Sequence, residues 1–230
     1  MVIINKNDFV EIEYTGRTSE EEIVFDTTDE KVAKDNGIYD KNSSYKPIVI
    51  CAGENQIIKG IDEQIIGKET DKAYKIELSP DNAFGKKDAK LIQLIPIKRF
   101  KEQNIQPVPG LQLNIDGIFG IVKTVSGGRC LVDFNNPLAG KSLYYDLKIN
   151  RVVQDDREKL KSLLKNVLKI NGAGIEIKEN IAKISLKQEI PGQIVEEFKK
   201  LASRMIPSIK ELHIANHKNG EEEKNQNPEF

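Results

Sequence analysis

One acid set among aromatic and branched aliphatic residues is the feature of this sequence best suited to chemistry. Tyr14 closes an alternating stretch, and Phe25-Asp26 ends the next apolar run. Ile48 and Ile50 sit in a third run, and Ile57, Ile58 and Ile61 cluster just beyond it. Phe84 lies in the loop Pro80-Asp81-Asn82-Ala83-Phe84-Gly85, and Tyr145-Asp146 arrives much later. Apolar residues at alternate strand positions ordinarily belong to a core. Taken alone the set reads as core with one embedded acid, and none of its members is a ready nucleophile.

Other routes to catalysis find little support. The sequence holds no GxSxG, no phosphate-binding P-loop, no HExxH and no dinucleotide-binding glycine fingerprint. His213 and His217 are its two histidines. Their spacing would suit a metal on a helix, but they fall on an expected strand running into the tail and read as ordinary surface residues. Cys51 and Cys130 lie far apart with no CxxC, which excludes a disulfide scaffold or zinc ribbon and leaves two buried free thiols. No metal and no cofactor is expected.

Composition narrows the partners. The chain has 230 residues, with 35 basic and 36 acidic side chains and a net charge of −1. No global field attracts nucleic acid or an anionic membrane. No run of roughly 18 apolar residues suggests a membrane span. The opening Met-Val-Ile-Ile-Asn-Lys lacks the form of a signal peptide, so a cytoplasmic protein is expected.

These residues must be positioned by several short elements. Val10, Ile12 and Tyr14 alternate with Glu11, Glu13 and Thr15, as in a half-buried strand that Gly16 breaks. Ile23-Val24-Phe25 begins a second strand, residues 27–45 form a polar excursion, and Lys46–Ala52 is a third strand. Residues 57–66 have the spacing of a short amphipathic helix stopped by Gly67. Ala73–Leu78 alternates again. A sheet crossed by one helix is an α+β arrangement.

Leu91–Ile97, Leu111–Ile115, Phe119–Val125 and Cys130–Phe134 read as short strands of a small β-rich unit. Ser142–Val153 is a long strand. An acidic opening at Asp155-Asp156 starts a helix that Gly172 stops. A hairpin over 174–187, a helix from Pro191-Gly192 and a strand over Ser208–Asn216 complete a compact α/β module. The charged tail 218–230 reads as disordered.

Read together, the stretches resemble the FKBP family of peptidyl-prolyl cis–trans isomerases. They are Val10–Gly16, Val24–Thr28, Pro47–Ile61, Ser79–Gly85 and Leu143–Leu147, in order. The resemblance implies an antiparallel half-barrel with a short helix across it, over 1–86 plus 137–153. The stretch 87–136 resembles the insert-in-flap domain of the SlyD-like branch, and 154–217 looks like the separate C-terminal α/β module of long archaeal members. By the same resemblance, Tyr14, Phe25, Ile48, Ile57, Ile61, Phe84 and Tyr145 line a proline pocket with Ile50 behind them. The Ile58 N–H holds a substrate carbonyl, and Asp26 orients Tyr14 beside the twisting bond.

Three positions depart from the family pattern. Ile61 stands where a Trp floor is common, Phe84 replaces a loop Tyr, and Ile48 replaces a frequent aromatic. These changes bear on macrolide binding more than on isomerisation. The implied partners are proline-containing unfolded or partly folded polypeptides. Ile92, Leu94, Ile95, Ile97, Phe100, Ile105 and Leu111 of the insert are expected to form a client-binding groove or to fill a small core. The tail has no His/Cys-rich metal segment. A homodimer through 154–217 is expected. The alternative is a non-catalytic holdase or dimeric adaptor built on a degraded FKBP fold.

Overall fold

The computed structural model describes residues 1–115 and 117–216. His217 and the tail 218–230 therefore lie outside the described residues. The chain begins with β1 (Phe9–Thr18), β2 (Val24–Thr27), α1 (Glu30–Asp35), β3 (Ile48–Cys51), α2 (Lys59–Ile65) and β4 (Lys72–Leu78). Next come β5 (Ile92–Pro96), α3 (Ile97–Glu102), β6 (Gln112–Ile115), β7 (Ile118–Ser126) and β8 (Arg129–Asp133). The last third holds β9 (Leu143–Val152), α4 (Asp156–Leu168), β10 (Gly174–Lys178), β11 (Ile181–Leu186), α5 (Gly192–Met205) and β12 (Glu211–Asn216). No helix among the described residues is long and apolar enough to cross a membrane. The whole is a mixed α+β architecture of three sheets with few helices.

The first sheet runs β2-β1-β9-β4, with β3 also paired to β1, and every pairing is antiparallel. Its inner face follows from alternation. Val10 and Ile12 of β1 and Leu143, Tyr145, Leu147 and Ile149 of β9 are buried, while Asp146 and Lys148 face out. α2 lays Ile61 and Ile65 on this face, where they join Ile50, Ile76 and Leu78 in one core.

Gly16 does not end β1, as its type suggested. The strand continues to Thr18 with a register shift between Gly16 and Arg17. A missing side chain here removes a steric obstacle, so the glycine serves packing rather than termination. Ile57 and Ile58 precede α2 instead of lying on it, because Ile58 takes the extended N-cap conformation at φ −51°, ψ 130°.

The second sheet, β5-β8-β7-β6, is also antiparallel and belongs to the stretch between β4 and β9. α3 was not expected. Its six residues are too few to show a helical period, and Pro96 at the N-cap hides the start. It drops Phe100 into a core with Leu113, Val122, Cys130 and Val132.

The third sheet orders β10-β11-β12. β11 and β12 are parallel, which requires a crossover, and α5 supplies it. α4 is capped by the Asp155 carboxylate, which accepts from the Arg157 and Glu158 N–H groups at 2.7 and 3.1 Å. It ends before Lys169 (φ 57°), ahead of the expected stop at Gly172. The final strand begins at Glu211, three residues after Ser208. The core of this third has no sharp border with the first sheet: Phe9, Cys51 and Val153 pack with Leu160, Leu163, Leu164 and Phe198.

Candidate active site

The site forms where β1, β2 and β9 lie side by side. Gly16 pairs with Asp26 on one flank and Tyr145 on the other. A Cβ at Gly16 would stand 2.7 Å from Tyr145 Cε1 and 2.8 Å from Phe25 Cζ. Only a glycine lets both rings close over this point. Tyr14 precedes it on β1, and hydrogen bonds with Thr27 and Thr28 hold its backbone. Its N–H donates to Thr28 Oγ1 at 2.9 Å, and its carbonyl accepts from the Thr28 N–H at 2.9 Å.

Three edge-to-face pairs join the rings. Tyr14 meets Tyr145 at 5.7 Å between centroids, Phe25 meets Tyr145 at 5.7 Å, and Phe25 meets Phe84 at 6.3 Å. The Tyr14 hydroxyl donates to Asp26 Oδ2 at 3.0 Å. Tyr145 is fully buried, and its hydroxyl oxygen has no hydrogen-bond partner among the described residues.

Burial raises the Asp26 carboxyl above its ordinary value. Hydrogen bonds from the Tyr14 hydroxyl and the Thr27 N–H offset this only in part. Burial and then the negative charge of Asp26 push the Tyr14 and Tyr145 hydroxyls upward, so both stay neutral.

α2 closes the other side. Ile61 is fully buried beneath the rings, and Ile57, Ile58 and Ile48 are half-buried around them. A Cβ at Gly60 would meet Leu78 Cδ2 at 2.5 Å and the Asn82 carbonyl at 2.6 Å, so the glycine lets α2 reach the loop that carries Phe84. Asp62, also buried, accepts from the Gly53 N–H at 2.9 Å and the Asn55 N–H at 2.7 Å. It thereby fixes the turn leading into Ile57-Ile58, where Gly53 and Asn55 are left-handed. The Ile58 carbonyl accepts from Ile61 and Asp62, while its N–H has no partner among the described residues.

The structure thus gathers the sequence candidates into one place. Tyr14, Phe25, Ile48, Ile57, Ile58 and Phe84 pack as a half-buried layer on a core containing Ile50, Ile61 and Tyr145, with Asp26 at the rim. Ile50 is fully buried behind the others. A cleft of about 420 Å³ opens beside them, lined by Tyr14, Phe25, Asp26 and Ile48. Sequence reasoning did not single out Gly16 or Asp62 as shaping residues, nor Ile38, Tyr45 and Lys165, which also line the cleft. Gly16 and Asp62 left a legible trace, a glycine inside an alternating strand and an acid in a helix's first turn. Lys165 left none.

Among the described residues, no Cys or His lines the cleft. No cluster of metal-ligating side chains occurs among the described residues. Burial, with Glu54 and Asp62 nearby, lifts the Cys51 thiol to about 12 despite Arg204. His213 is exposed beside Glu211 at 3.4 Å, on β12.

Comparison with known proteins agrees with this geometry. The family model for FKBP-type peptidyl-prolyl cis-trans isomerase matches residues 2–99, and the model for the FKBP26 IF domain matches residues 93–138. The chain is 32% identical over 156 residues to the short-type peptidyl-prolyl cis-trans isomerase of Methanocaldococcus jannaschii, covering 68% of this chain and 98% of that one. It is 27% identical over 108 residues to an FKBP-type 16 kDa peptidyl-prolyl cis-trans isomerase of Escherichia coli, covering 45% of this chain and 72% of that protein. It is 28% identical over 115 residues to the FKBP-type isomerase SlyD of Helicobacter pylori, covering 49% and 62% respectively. With its aromatic cluster set around Tyr14 and Asp26, and matching these relatives, the chain belongs to the family of FKBP-type peptidyl-prolyl cis–trans isomerases.

Proposed function

We propose that catalysis takes place in the pocket of Tyr14, Phe25, Ile48, Ile57, Ile61, Phe84 and Tyr145, backed by Ile50. The barrier to X–Pro rotation is about 20 kcal/mol because twisting destroys amide resonance. The twisted amide is less charge-separated than the planar one. An apolar wall therefore favours it over the ground state, with no covalent step. The Ile58 N–H is free to bind a substrate carbonyl, which anchors one side of the rotating bond. Asp26 holds the Tyr14 hydroxyl at the rim.

The observation that carries this reading is the 3.0 Å bond from Tyr14 to Asp26 at the mouth of a closed aromatic cluster. A proline-peptide assay tests it. Asp26→Ala and Tyr14→Phe are each expected to lower kcat/KM, by about 10-fold for a lost charge-assisted contact. Wild-type rates in both variants would place the chemistry elsewhere.

The insert is assigned to holding unfolded clients. Leu94, Val108, Ile118 and Phe119 are exposed there, at 60%, 50%, 58% and 41% of their surface. Of the groove expected from sequence, only Leu94 is exposed, Phe100 is core, and Ile92, Ile95, Ile97, Ile105 and Leu111 are half-buried. Deletion of 87–136 is expected to abolish suppression of aggregation. Self-association through 154–217 would have to use little apolar surface, chiefly Val167 and Ile194, since α4 and α5 bury their apolar faces internally. Light scattering over a concentration series decides between dimer and monomer.

A further inference from the structure

Two charged side chains line the cleft beside the proline pocket, and they come from distant parts of the chain. One is Asp26, whose carboxylate is engaged by Tyr14 and Thr27. The other is Lys165, in the last turn of α4. Lys165 is half-buried and faces Tyr14, Phe25, Tyr45 and Ile48 across the opening. Its α4 neighbours Glu158 and Lys159 have ion-pair partners, but no carboxylate among the described residues lies within salt-bridge distance of Lys165.

The position of this lysine is built. Asn166, the next residue, donates from Nδ2 to the Val49 carbonyl at 2.8 Å and to Gln56 Oε1 at 3.2 Å. Gln56 Oε1 also accepts from the Cys51 N–H at 3.1 Å. α4 is thus tied to β3 and to the turn that enters Ile57-Ile58. Leu163 and Leu164 bury the same turn of α4 against Cys51. Arg204 of α5 grips Glu54 through two hydrogen bonds, at 3.0 and 2.7 Å. α4 cannot swing away without breaking the Asn166 links, so the base of the Lys165 side chain is held at the cleft wall before substrate arrives.

We propose that α4 supplies one wall of the prolyl site and that Lys165 is a specificity-determining residue, favouring polypeptides with Asp or Glu flanking the proline. The proposal rests on the site assignment above. A half-exposed cation without a protein partner keeps its capacity to pair with a substrate carboxylate, at strength reduced by solvent. Tyr14, Phe25, Tyr45 and Ile48 offer apolar contact to the rest of such a segment, and Thr27, Thr28, Ser43 and Ser44 offer polar contact. Among the described residues lining the cleft, Lys165 is the one cation.

The test uses the full chain and four proline peptides, with Glu or Leu before the proline and with Glu or Leu after it. The Glu-to-Leu ratio of kcat/KM at one of the two positions is expected to be two- to fivefold higher in wild type than in Lys165→Met, as for an exposed ion pair, and high salt should erase that difference. Lys165→Glu should lower the ratio further, and Lys165→Arg should keep it at the wild-type value. Equal ratios in wild type and Lys165→Glu, while Asp26→Ala still lowers every rate, would overturn the Lys165 assignment alone. If Asp26→Ala and Tyr14→Phe leave every rate unchanged, the site assignment falls and the specificity proposal falls with it.

Discussion

Gly16 faces Tyr145 across the β1–β9 ladder so closely that a Cβ would stand 2.7 Å from the ring. Backbone and ring are in van der Waals contact where other strands place a side chain. The aromatic cluster of Tyr14, Phe25 and Tyr145 depends on this one missing atom group.

Gly16→Ala is therefore expected to overpack the cluster. It should cost about 1–3 kcal/mol in a denaturant titration, since core rings can move only by leaving their rotamers. It should also lower kcat/KM on proline peptides, because Phe25 or Tyr145 must shift to admit the methyl group.

Asp26 gives a pH signature. Its carboxyl is raised in the folded state, so its favourable contribution to stability is complete below the ordinary carboxylate value of about 4. That contribution is lost as pH rises through the raised value. Asp26→Asn should then gain stability relative to wild type at pH 7, and the gap should close toward pH 4 in urea melts. The acid limb of the wild-type pH–rate profile should lie above the ordinary Asp value and vanish in Asp26→Asn.

Asp133 shows the opposite sign. It lies at the junction between insert and sheet and accepts from Lys87 Nζ at 2.8 Å, the Asn135 N–H at 3.0 Å and Asn135 Nδ2 at 2.8 Å. Burial alone would raise its carboxyl, but these bonds bring it down to about 2. The stability it confers is present above about 4 and is lost as pH falls toward 2. Asp133→Asn should cost roughly 1–2 kcal/mol at neutral pH. Hydrogen exchange should show the loss as faster opening at 86–91 and 133–140, where Asn135 also bonds both the Asp88 N–H and carbonyl.

The contact of α4 with the turn before α2 can be loosened directly. Asn166→Ala leaves the Val49 carbonyl and Gln56 without this donor, and should cost about 1–2 kcal/mol. Faster exchange of the Cys51–Ile58 amides, together with a changed KM on proline peptides, would show that the C-terminal third steadies the substrate-facing turn. Unchanged exchange there would limit Asn166 to local packing.

Leu94→Ser with Ile118→Ser tests the insert. The ratio of activity on a proline-limited refolding protein to activity on a tetrapeptide should fall, since only the protein client presents long apolar segments. A constant ratio would remove these residues from client binding.

What was legible in the sequence was local and repetitive. Alternation in β1 and β9, spaced isoleucines near α2 and the acidic start of α4 each follow from a period or a cap within a few residues. The aromatic set around Asp26 was visible because its members sit in short motifs that keep their order. α3 was illegible because six residues carry no period, and Gly16 was misread because a strand-breaking glycine and a packing glycine look alike in one dimension. The chain's order could not disclose that Asn166 reaches Gln56, 110 residues away, or that Lys165 lines the cleft beside Tyr14 and Phe25. Nor could it disclose that Phe9, Cys51 and Val153 share a core with α4 and α5. Such contacts are set by which surfaces remain apolar after each sheet has formed. The wall and charge of the cleft were decided by tertiary packing, whereas its apolar chemistry was already written in residue types.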